Sequence, residues 1–160
     1  RNEIVSLDFD DLDFVNEGLK ITVRRSKTDQ FGAGTLKALP YFNNSEYCPV
    51  VSLQKWLKIS KINSGALFRR FLKGTKLSEK RLTDQTVALL IKEYLNIAGI
   101  DNKNYSGHSL RSGFATSAAD AGVEERSIMA MTGHKSPEMV RRYIKEANLF
   151  KNNALNKINF

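Results

Sequence analysis

Two histidines, an arginine, a lysine and a tyrosine in this chain have the side-chain types that a phosphoryl-transfer centre needs. His108 and Arg111 lie three residues apart in GHSLRSGFAT, and His134 precedes Tyr143 by nine residues in TGHKSPEMVRRY. A tyrosine oxygen can attack a phosphodiester directly. Arginine and histidine can stabilise the charge that builds up on phosphorus without a metal ion. A lysine such as Lys27 can protonate the leaving oxygen.

His108 and Arg111 suit an anion because of their place in a predicted helix. His108 lies near the start of that helix, where free backbone N–H groups and the helix dipole favour negative charge. The same field disfavours a charged imidazole, which suits a base or hydrogen-bond donor that must be neutral near pH 7. Arg111 adds a planar fork that matches phosphate oxygens.

Each of these residues taken alone also has an ordinary structural explanation. Most His-x-x-Arg pairs are surface pairs or helix caps, and a helical tyrosine such as Tyr143 usually belongs to a core or a surface. His134 could be a hydrogen bonder in a tight turn, and Lys27 could be one more exposed lysine at a hairpin tip. The chemical interpretation gains its weight from the set, because all five positions would serve a single centre.

Two predicted helices and the turn between them position His134 and Tyr143. Residues 124–132 form a short helix that ends at Gly133, since glycine is the commonest residue after a helix end. A cap, a favoured first residue and an acidic first turn mark the start of the next helix: Ser136, Pro137 and Glu138. His108 and Arg111 belong to a helix over 107–122. Its apolar positions are expected to face the core: Leu110, Phe114, Ala118 and Ala121.

The preceding part of the chain predicts further helices and one hairpin. Alternating β-branched and apolar residues predict strands over 19–26 and 35–41, with Lys27 at the loose tip between them. Pro49 is predicted to open one helix, and Gly99 to end another. The predicted fold is therefore mainly α with a small antiparallel β-sheet, which is an α+β class.

Composition limits the classes of function. The chain has 160 residues, of which 41% are hydrophobic, and this fits one globular domain with a real core. A single cysteine, Cys48, excludes an internal disulfide framework, and two histidines without ligand spacing argue against a zinc site. No apolar run approaches a membrane span, and the amino end has no signal-peptide pattern. We therefore expect neither a metal nor a membrane partner.

The charge of the chain favours a polyanionic partner. The formal net charge is +8 and the pI is about 9.6, and nucleic acid is the commonest polyanion. The same charge would also fit a basic protein that has no such partner. The positive charge is nevertheless local, with much of it in a predicted basic connector over 68–84. The residues expected to contact DNA are Arg24, Arg25, Arg69, Arg70, Lys73, Lys76, Lys80, Arg81, Arg141 and Arg142.

At these positions the sequence resembles the tyrosine recombinases of the phage integrase family. Their catalytic domains carry Arg-x-x-Glu, a hairpin lysine, His-x-x-Arg, a second histidine or tryptophan, and a tyrosine nine residues later. His108 and Arg111 match the third element, His134 and Tyr143 match the last two, and Lys27 in RRSKTD matches the hairpin lysine. The resemblance covers nearly the whole chain in the family's order and implies the tyrosine-recombinase catalytic-domain fold over residues 1–160.

The resemblance also implies that one catalytic residue is missing. With Glu3 in the place of the family's glutamate, the first catalytic arginine would fall one position before Arg1. The opening RNEIVSL reads as the tail of a helix without its first turn. We therefore expect a domain truncated at its amino end, without that arginine and without the family's core-binding domain, and an impaired enzyme.

The chemistry that the resemblance implies assigns a role to each site residue. Tyr143 would attack the phosphodiester and leave a 3′-phosphotyrosyl link and a free 5′-hydroxyl. Arg111 would hold the non-bridging oxygens, His108 would assist removal of the phenol proton, and His134 would hydrogen-bond the phosphate. Lys27 would be the general acid toward the 5′-oxygen. No cofactor is needed, because the phosphotyrosine conserves the bond energy for religation.

The implied function is site-specific DNA recombination, with two alternatives. The expected partners are double-stranded DNA and other recombinase subunits in a tetrameric synapse, in the cytoplasm of a bacterium and encoded by it or by a phage. The first alternative is a non-catalytic relic that only binds DNA. The second is a type IB topoisomerase, which relaxes DNA by similar chemistry. A covalent adduct separates recombination from the relic, and synapsis of two sites separates it from the topoisomerase.

Overall fold

The computed structural model describes residues 1–24, 34–151 and 153–158. Within those residues lie six α-helices, two 3-10 helices and five β-strands. The chain divides into two compact units, residues 1–90 and residues 91–160. None of the described helices is both long enough and apolar enough to cross a membrane.

A three-stranded antiparallel sheet forms the centre of the first unit. Its strands are adjacent in chain order: β1 (Leu12–Val15), β2 (Gly18–Val23) and β3 (Thr35–Pro40). Leu19 of β2 pairs with Phe14 on one side and with Leu39 on the other. The structure confirms the two predicted strands, which end at Val23 and Pro40, one residue before Arg24 and Tyr41. β1 was not predicted, since four residues that include an exposed aspartate give only a weak alternating pattern.

Two short helical segments precede this sheet and a longer helix follows it. The chain begins with α1 (Asn2–Ser6) and a 3-10 helix (Phe9–Asp11). The predicted helix at Pro49 is confirmed as α2 (Pro49–Ser60), with the proline in its first turn. The buried residues of this core are Leu19, Cys48 and Val50.

The predicted connector over 68–84 is wrong, because it contains a second sheet. β4 (Arg69–Phe71) and β5 (Leu77–Arg81) form an antiparallel hairpin. Both strands are short, and their burial does not alternate regularly: Ser78 is buried, whereas the three residues after it are all exposed. The sequence therefore has no clear period of two here. The described residues thus form two small antiparallel sheets rather than one.

The helix predicted to end at Gly99 is α3 (Asp84–Ile97). Its sequence gives a clear apolar stripe, but no residue of this helix is fully buried. Leu90 and Tyr94 are exposed at 39% and 68%. The apolar periodicity therefore predicted the helix correctly, but it did not predict that the apolar side chains stay partly exposed.

Three helices pack together in the second unit. They are α4 (Gly107–Asp120), α5 (Glu125–Thr132) and α6 (Pro137–Ala147), and a 3-10 helix (Ala154–Lys157) follows them. Each helix contributes to one buried cluster, which consists of Ala115, Ala119, Ile128 and Val140. The predicted bounds of α4 and α5 agree with the structure to within two residues, and the predicted start of α6 at Pro137 is confirmed.

The predicted core face of α4 is wrong by about one helical position. Ala115 and Ala119 are buried, whereas Leu110 and Phe114 are 60% and 46% exposed. Large apolar side chains suggested the face, but alanines make it, because small side chains let the backbones of neighbouring helices approach closely. Of the predicted positions, Ala118 is half-buried and packs against the cluster.

Ile128 should be a determinant of stability in the second unit. Its side chain has 0% exposure in the cluster, so Ile128→Ala should lower the free energy of unfolding by about 2 to 5 kcal/mol. Met131→Ala is the matched control, since Met131 lies on the same helix and is 41% exposed. Urea denaturation of both variants measures the difference, and equal losses would contradict the assigned core.

Candidate active site

The start of α4 presents His108 and Arg111 together. Ser106 caps the helix, and its Oγ accepts a hydrogen bond of 3.2 Å from the backbone N–H of His108. In return the Ser106 N–H donates to Ser109 Oγ at 3.0 Å, which completes a capping box. His108 therefore lies in the first turn. Arg111 follows one turn later, and both side chains are exposed.

The turn between α5 and α6 holds His134. Gly133 ends α5 with φ 69° and ψ 28°, a left-handed conformation that favours glycine. Its N–H donates to the carbonyl oxygen of Met129 at 2.7 Å. Ser136 then caps α6 and accepts a hydrogen bond of 3.2 Å from the Glu138 N–H. His134 is thus confined to a short link between two capped helix ends.

Tyr143 lies close to the His134 ring and to α4. The centroids of the two rings are 6.4 Å apart, with 50° between their planes. The Tyr143 hydroxyl donates a hydrogen bond of 3.1 Å to Ser112 Oγ, and Ser112 is the residue after Arg111. The ring of Tyr143 also packs against the buried cluster. The structure therefore brings a phenol, an imidazole and the helix that carries Arg111 to one place.

The electrostatics around His134 favour its neutral form. Burial lowers the pKa of His134 below its usual value, and the nearby charges of Arg111 and His108 lower it further. A Cβ added to Gly133 would lie 3.8 Å from Arg111 Nη2, so the guanidinium passes beside the residue that precedes His134. All four predicted site residues of the second unit are therefore neighbours.

Arg111 carries a charge that no carboxylate of the described residues neutralises within ion-pair distance. The positive end of α4 adds to that charge. Within the same described ranges, no group of three or more His, Cys, Asp or Glu residues could hold a metal ion. The arrangement is suited to hold an anion between Arg111 and the two histidines, next to the tyrosine hydroxyl.

The sequence model of the phage integrase family matches residues 1–149, which include these four residues. The chain belongs to the phage integrase family. An integrase/recombinase of Selenomonas ruminantium, described as a XerD homologue, is 44% identical over 158 residues. The match covers 99% of this chain and 46% of that relative. Tyrosine recombinase XerA of Pyrococcus horikoshii is 30% identical over 105 residues, 66% of this chain and 35% of the relative. The chain spans less than half the length of either protein.

Two solved recombinase structures share the fold of this integrase-family chain. The crystal structure of XerA recombinase aligns with a TM-score of 0.67 at 24% identity, over 99% of this chain and 52% of that one. XerH site-specific recombinase, solved bound to its palindromic difH substrate in a post-cleavage complex, aligns with a TM-score of 0.63 at 20% identity. That match covers 95% of this chain and 42% of XerH. The predicted α+β fold of tyrosine recombinases is confirmed.

Two of the predicted residues lie outside the part of the chain that the structure describes. They are Lys27, the proposed general acid, and Arg25, a predicted DNA contact. The integrase family's hairpin lysine therefore stays a prediction from the motif RRSKTD.

Five of the predicted DNA-contact arginines form ion pairs within the protein. The pairs are Arg24 with Asp11, Arg69 with Glu79, Arg81 with Asp8, Arg141 with Glu125, and Arg142 with Glu146. Arg81 also donates to the carbonyl oxygens of Val5 and Leu7, at 2.7 and 2.9 Å. Arg69 donates to two further carbonyl oxygens. These two arginines stabilise the fold of the first unit, and their contact with DNA stays a prediction.

The other four predicted DNA contacts lie on the β4–β5 hairpin and are exposed. They are Arg70, Lys73, Lys76 and Lys80. No carboxylate of the described residues reaches any of them within ion-pair distance. Their charges are available to a phosphate backbone at a smaller desolvation cost than that of a paired arginine.

Sequence reasoning missed two hydroxyl groups at the site. Ser112 accepts the hydrogen bond of Tyr143, and because the two residues are 31 positions apart no local pattern indicates the contact. Thr132 lies 2.7 Å from His134 Nδ1 through its Oγ1. The motif TGH could have indicated this group, because a threonine at the end of a helix often hydrogen-bonds to a carbonyl oxygen of the preceding turn.

The lowered pKa of His134 predicts how stability depends on pH. Below the ordinary value of 6.5 the unfolded chain binds a proton at this ring, and the folded chain does not until its lower pKa is reached. The contribution of His134 is therefore fully present above 6.5 and is lost as the pH falls toward the folded-state pKa. His134→Gln should flatten the decrease in unfolding free energy between about pH 7 and about pH 5.

Urea denaturation at several pH values measures this effect. The comparison near pH 8 gives the cost of the substitution alone, because the ring is neutral there in both states. The same pH dependence in the variant and in the unaltered chain would mean that burial of His134 is not its source.

Proposed function

We propose that this chain is the catalytic part of a site-specific DNA recombinase, which cuts and rejoins DNA strands through Tyr143. One observation carries the proposal. In a member of the phage integrase family, Tyr143 lies beside His134 and is hydrogen-bonded to the helix that presents His108 and Arg111. A phenol next to an anion site is what nucleophilic attack on a phosphodiester requires.

The proposed reaction exchanges one phosphodiester for another. Tyr143 Oη attacks phosphorus, the bond to the 5′-oxygen breaks, and a 3′-phosphotyrosyl link forms. Arg111 balances the charge on the non-bridging oxygens, a contribution on the order of 10²–10³ in rate for such a donor. Attack by a 5′-hydroxyl on the phosphotyrosine then reverses the steps and religates the strand.

Proton transfers complete the proposed reaction. The phenol proton goes to His108, and the departing 5′-oxygen takes a proton from Lys27, which we carry over from the family motif. In the structure the Tyr143 hydroxyl donates to Ser112 instead. Tyr143 must therefore exchange this hydrogen bond for contact with the phosphate before it attacks. Ser112 thus positions the tyrosine hydroxyl in the protein without DNA.

The proposed partners are double-stranded DNA and other recombinase subunits. XerH, which shares the fold, was solved with its difH DNA substrate in a post-cleavage complex. The net charge of +8 on this chain also favours a polyanion such as DNA. Recombination requires two cut sites to meet, so we propose a tetrameric synapse. We also propose that the protein acts on DNA in a bacterial cytoplasm, and that it is encoded by the bacterium or by a phage.

Tyr143→Phe tests the nucleophile. A nicked suicide DNA substrate, which loses its 5′-hydroxyl fragment after cleavage, should trap a protein–DNA adduct with the full-length protein of which this chain is the catalytic part. Tyr143→Phe should abolish the adduct, because the attacking oxygen is removed, and should keep DNA binding within about two-fold. Denaturing electrophoresis detects the adduct and a gel-shift titration measures binding.

Three results would count against this function. An adduct that persists in Tyr143→Phe would exclude this nucleophile. Specific DNA binding by that full-length protein without any adduct would favour a relic that only binds. Adduct formation that relaxes supercoiled DNA, with no exchange between two sites, would favour a type IB topoisomerase.

The exposed β4–β5 cations should carry much of the salt dependence of DNA binding. Replacing all four by alanine, at Arg70, Lys73, Lys76 and Lys80, should weaken binding and lower the slope of log affinity against log salt by about 3 to 4. A control variant removes four exposed charges elsewhere, at Lys20, Lys55, Lys58 and Lys92. Equal effects of both variants in a salt titration would show a diffuse field rather than a DNA contact at this hairpin.

A further inference from the structure

The two hydrogen-bond neighbours of Thr132 determine which of them accepts its hydroxyl proton. Thr132 Oγ1 lies 2.6 Å from the carbonyl oxygen of Ile128, one turn earlier on α5, and 2.7 Å from His134 Nδ1. A carbonyl oxygen can only accept, so two oxygens this close require the hydroxyl to donate to Ile128. A threonine hydroxyl has one proton. It therefore has only lone pairs to offer to His134.

This count of protons determines the tautomer of His134. Because Oγ1 accepts at Nδ1, that ring nitrogen must carry a proton. In the neutral ring the other nitrogen, Nε2, is then without a proton and can only accept. A neutral His134 held this way cannot donate a hydrogen bond from Nε2 to a phosphate oxygen.

The groups around the ring favour its neutral form. The titratable side chains that face it, among the described residues, are Arg111 and His108 of α4 and Tyr143 of α6. Burial, Arg111 and His108 each lower the pKa of His134. A phosphate between these groups would oppose that effect, since an adjacent anion favours the charged imidazolium.

We propose that Thr132 is a positioning residue that sets the proton state of His134, with Nδ1 protonated and Nε2 bare in the free enzyme. It follows that His134 takes up a proton at Nε2 when an anion occupies the site, and only then donates to it. This second step rests on the proposed function, whereas the tautomer does not. Thr132 acts through His134 and contacts no substrate.

Two substitutions at Thr132 separate its hydroxyl from its shape. Thr132→Ser keeps the hydroxyl and should keep the tautomer. Thr132→Val has nearly the same shape but no acceptor, so the Nδ1 proton loses its partner. In this variant the neutral ring should move toward the Nε2-protonated form, because the hydrogen bond that selected the other form is gone.

Long-range ¹H–¹⁵N NMR spectra of the imidazole rings read the tautomer directly. The chain has two histidines, and His108→Gln assigns their signals. We expect the Nδ1–H form of His134 in the unaltered chain and in Thr132→Ser, and a majority of the Nε2–H form in Thr132→Val. Circular dichroism confirms that each variant is folded. An Nε2–H ring in the unaltered chain, or no change in folded Thr132→Val, would overturn the proposal.

Sulfate tests the coupling to an anion without any cleavage. It does not titrate in the range of histidine, so a pH titration of the His134 signals reports the ring alone. Saturating sulfate should raise the pKa of His134 in the unaltered chain, and less in Thr132→Val, whose ring can donate from Nε2 while neutral. No effect of sulfate would overturn the proton uptake. These readouts need no phosphotyrosine, so a failure of the proposed reaction would be distinguishable from a failure here.

Discussion

The close approach of α4 to α5 and α6 is the constraint on which the candidate site depends. It is possible because α4 turns Ala115 and Ala119, rather than larger side chains, toward Ile128 and Val140. The hydroxyl of Tyr143 can then reach Ser112 Oγ at 3.1 Å. A bulkier residue at either alanine would separate the helices, and overpacking of this kind costs about 1–3 kcal/mol. The geometry of the site thus depends on the small side chains of these two alanines, which no motif in the sequence marks.

The parts of the fold and site that the sequence predicted are those with local causes. The end of α5 at Gly133, the capped start of α6 at Ser136 and the spacing from His134 to Tyr143 all follow from neighbouring residues. What the sequence did not predict depends on distant partners. The core face of α4 is determined by the helices packed on it, and Ser112 meets Tyr143 only after folding. Local pattern cannot identify such pairs, because the chain separates them by many residues.

Charge divides into two classes that composition cannot distinguish. Arg81 and Arg69 are bound by carboxylates and backbone carbonyls, so much of their charge serves the fold. Cations such as Lys73 and Lys76 are exposed, without a carboxylate of the described residues in reach. A basic run in a sequence contains both kinds. Only the hydrogen-bond partners show which charges remain for a polyanion, and here they favour the tip of the β4–β5 hairpin over its ends.

The hydrogen bonds from Arg81 to Val5 and Leu7 bear on the order in which the chain folds. They close loops of 76 and 74 residues, whereas the bond that joins Tyr143 to Ser112 spans 31. Loop closure becomes entropically more costly with length, and contacts between distant residues slow folding. The helices that carry the tyrosine should therefore assemble early, and the amino-terminal segment should dock late. By the same argument that segment should open most readily in the native state, and its amide protons should exchange with solvent before those of α4.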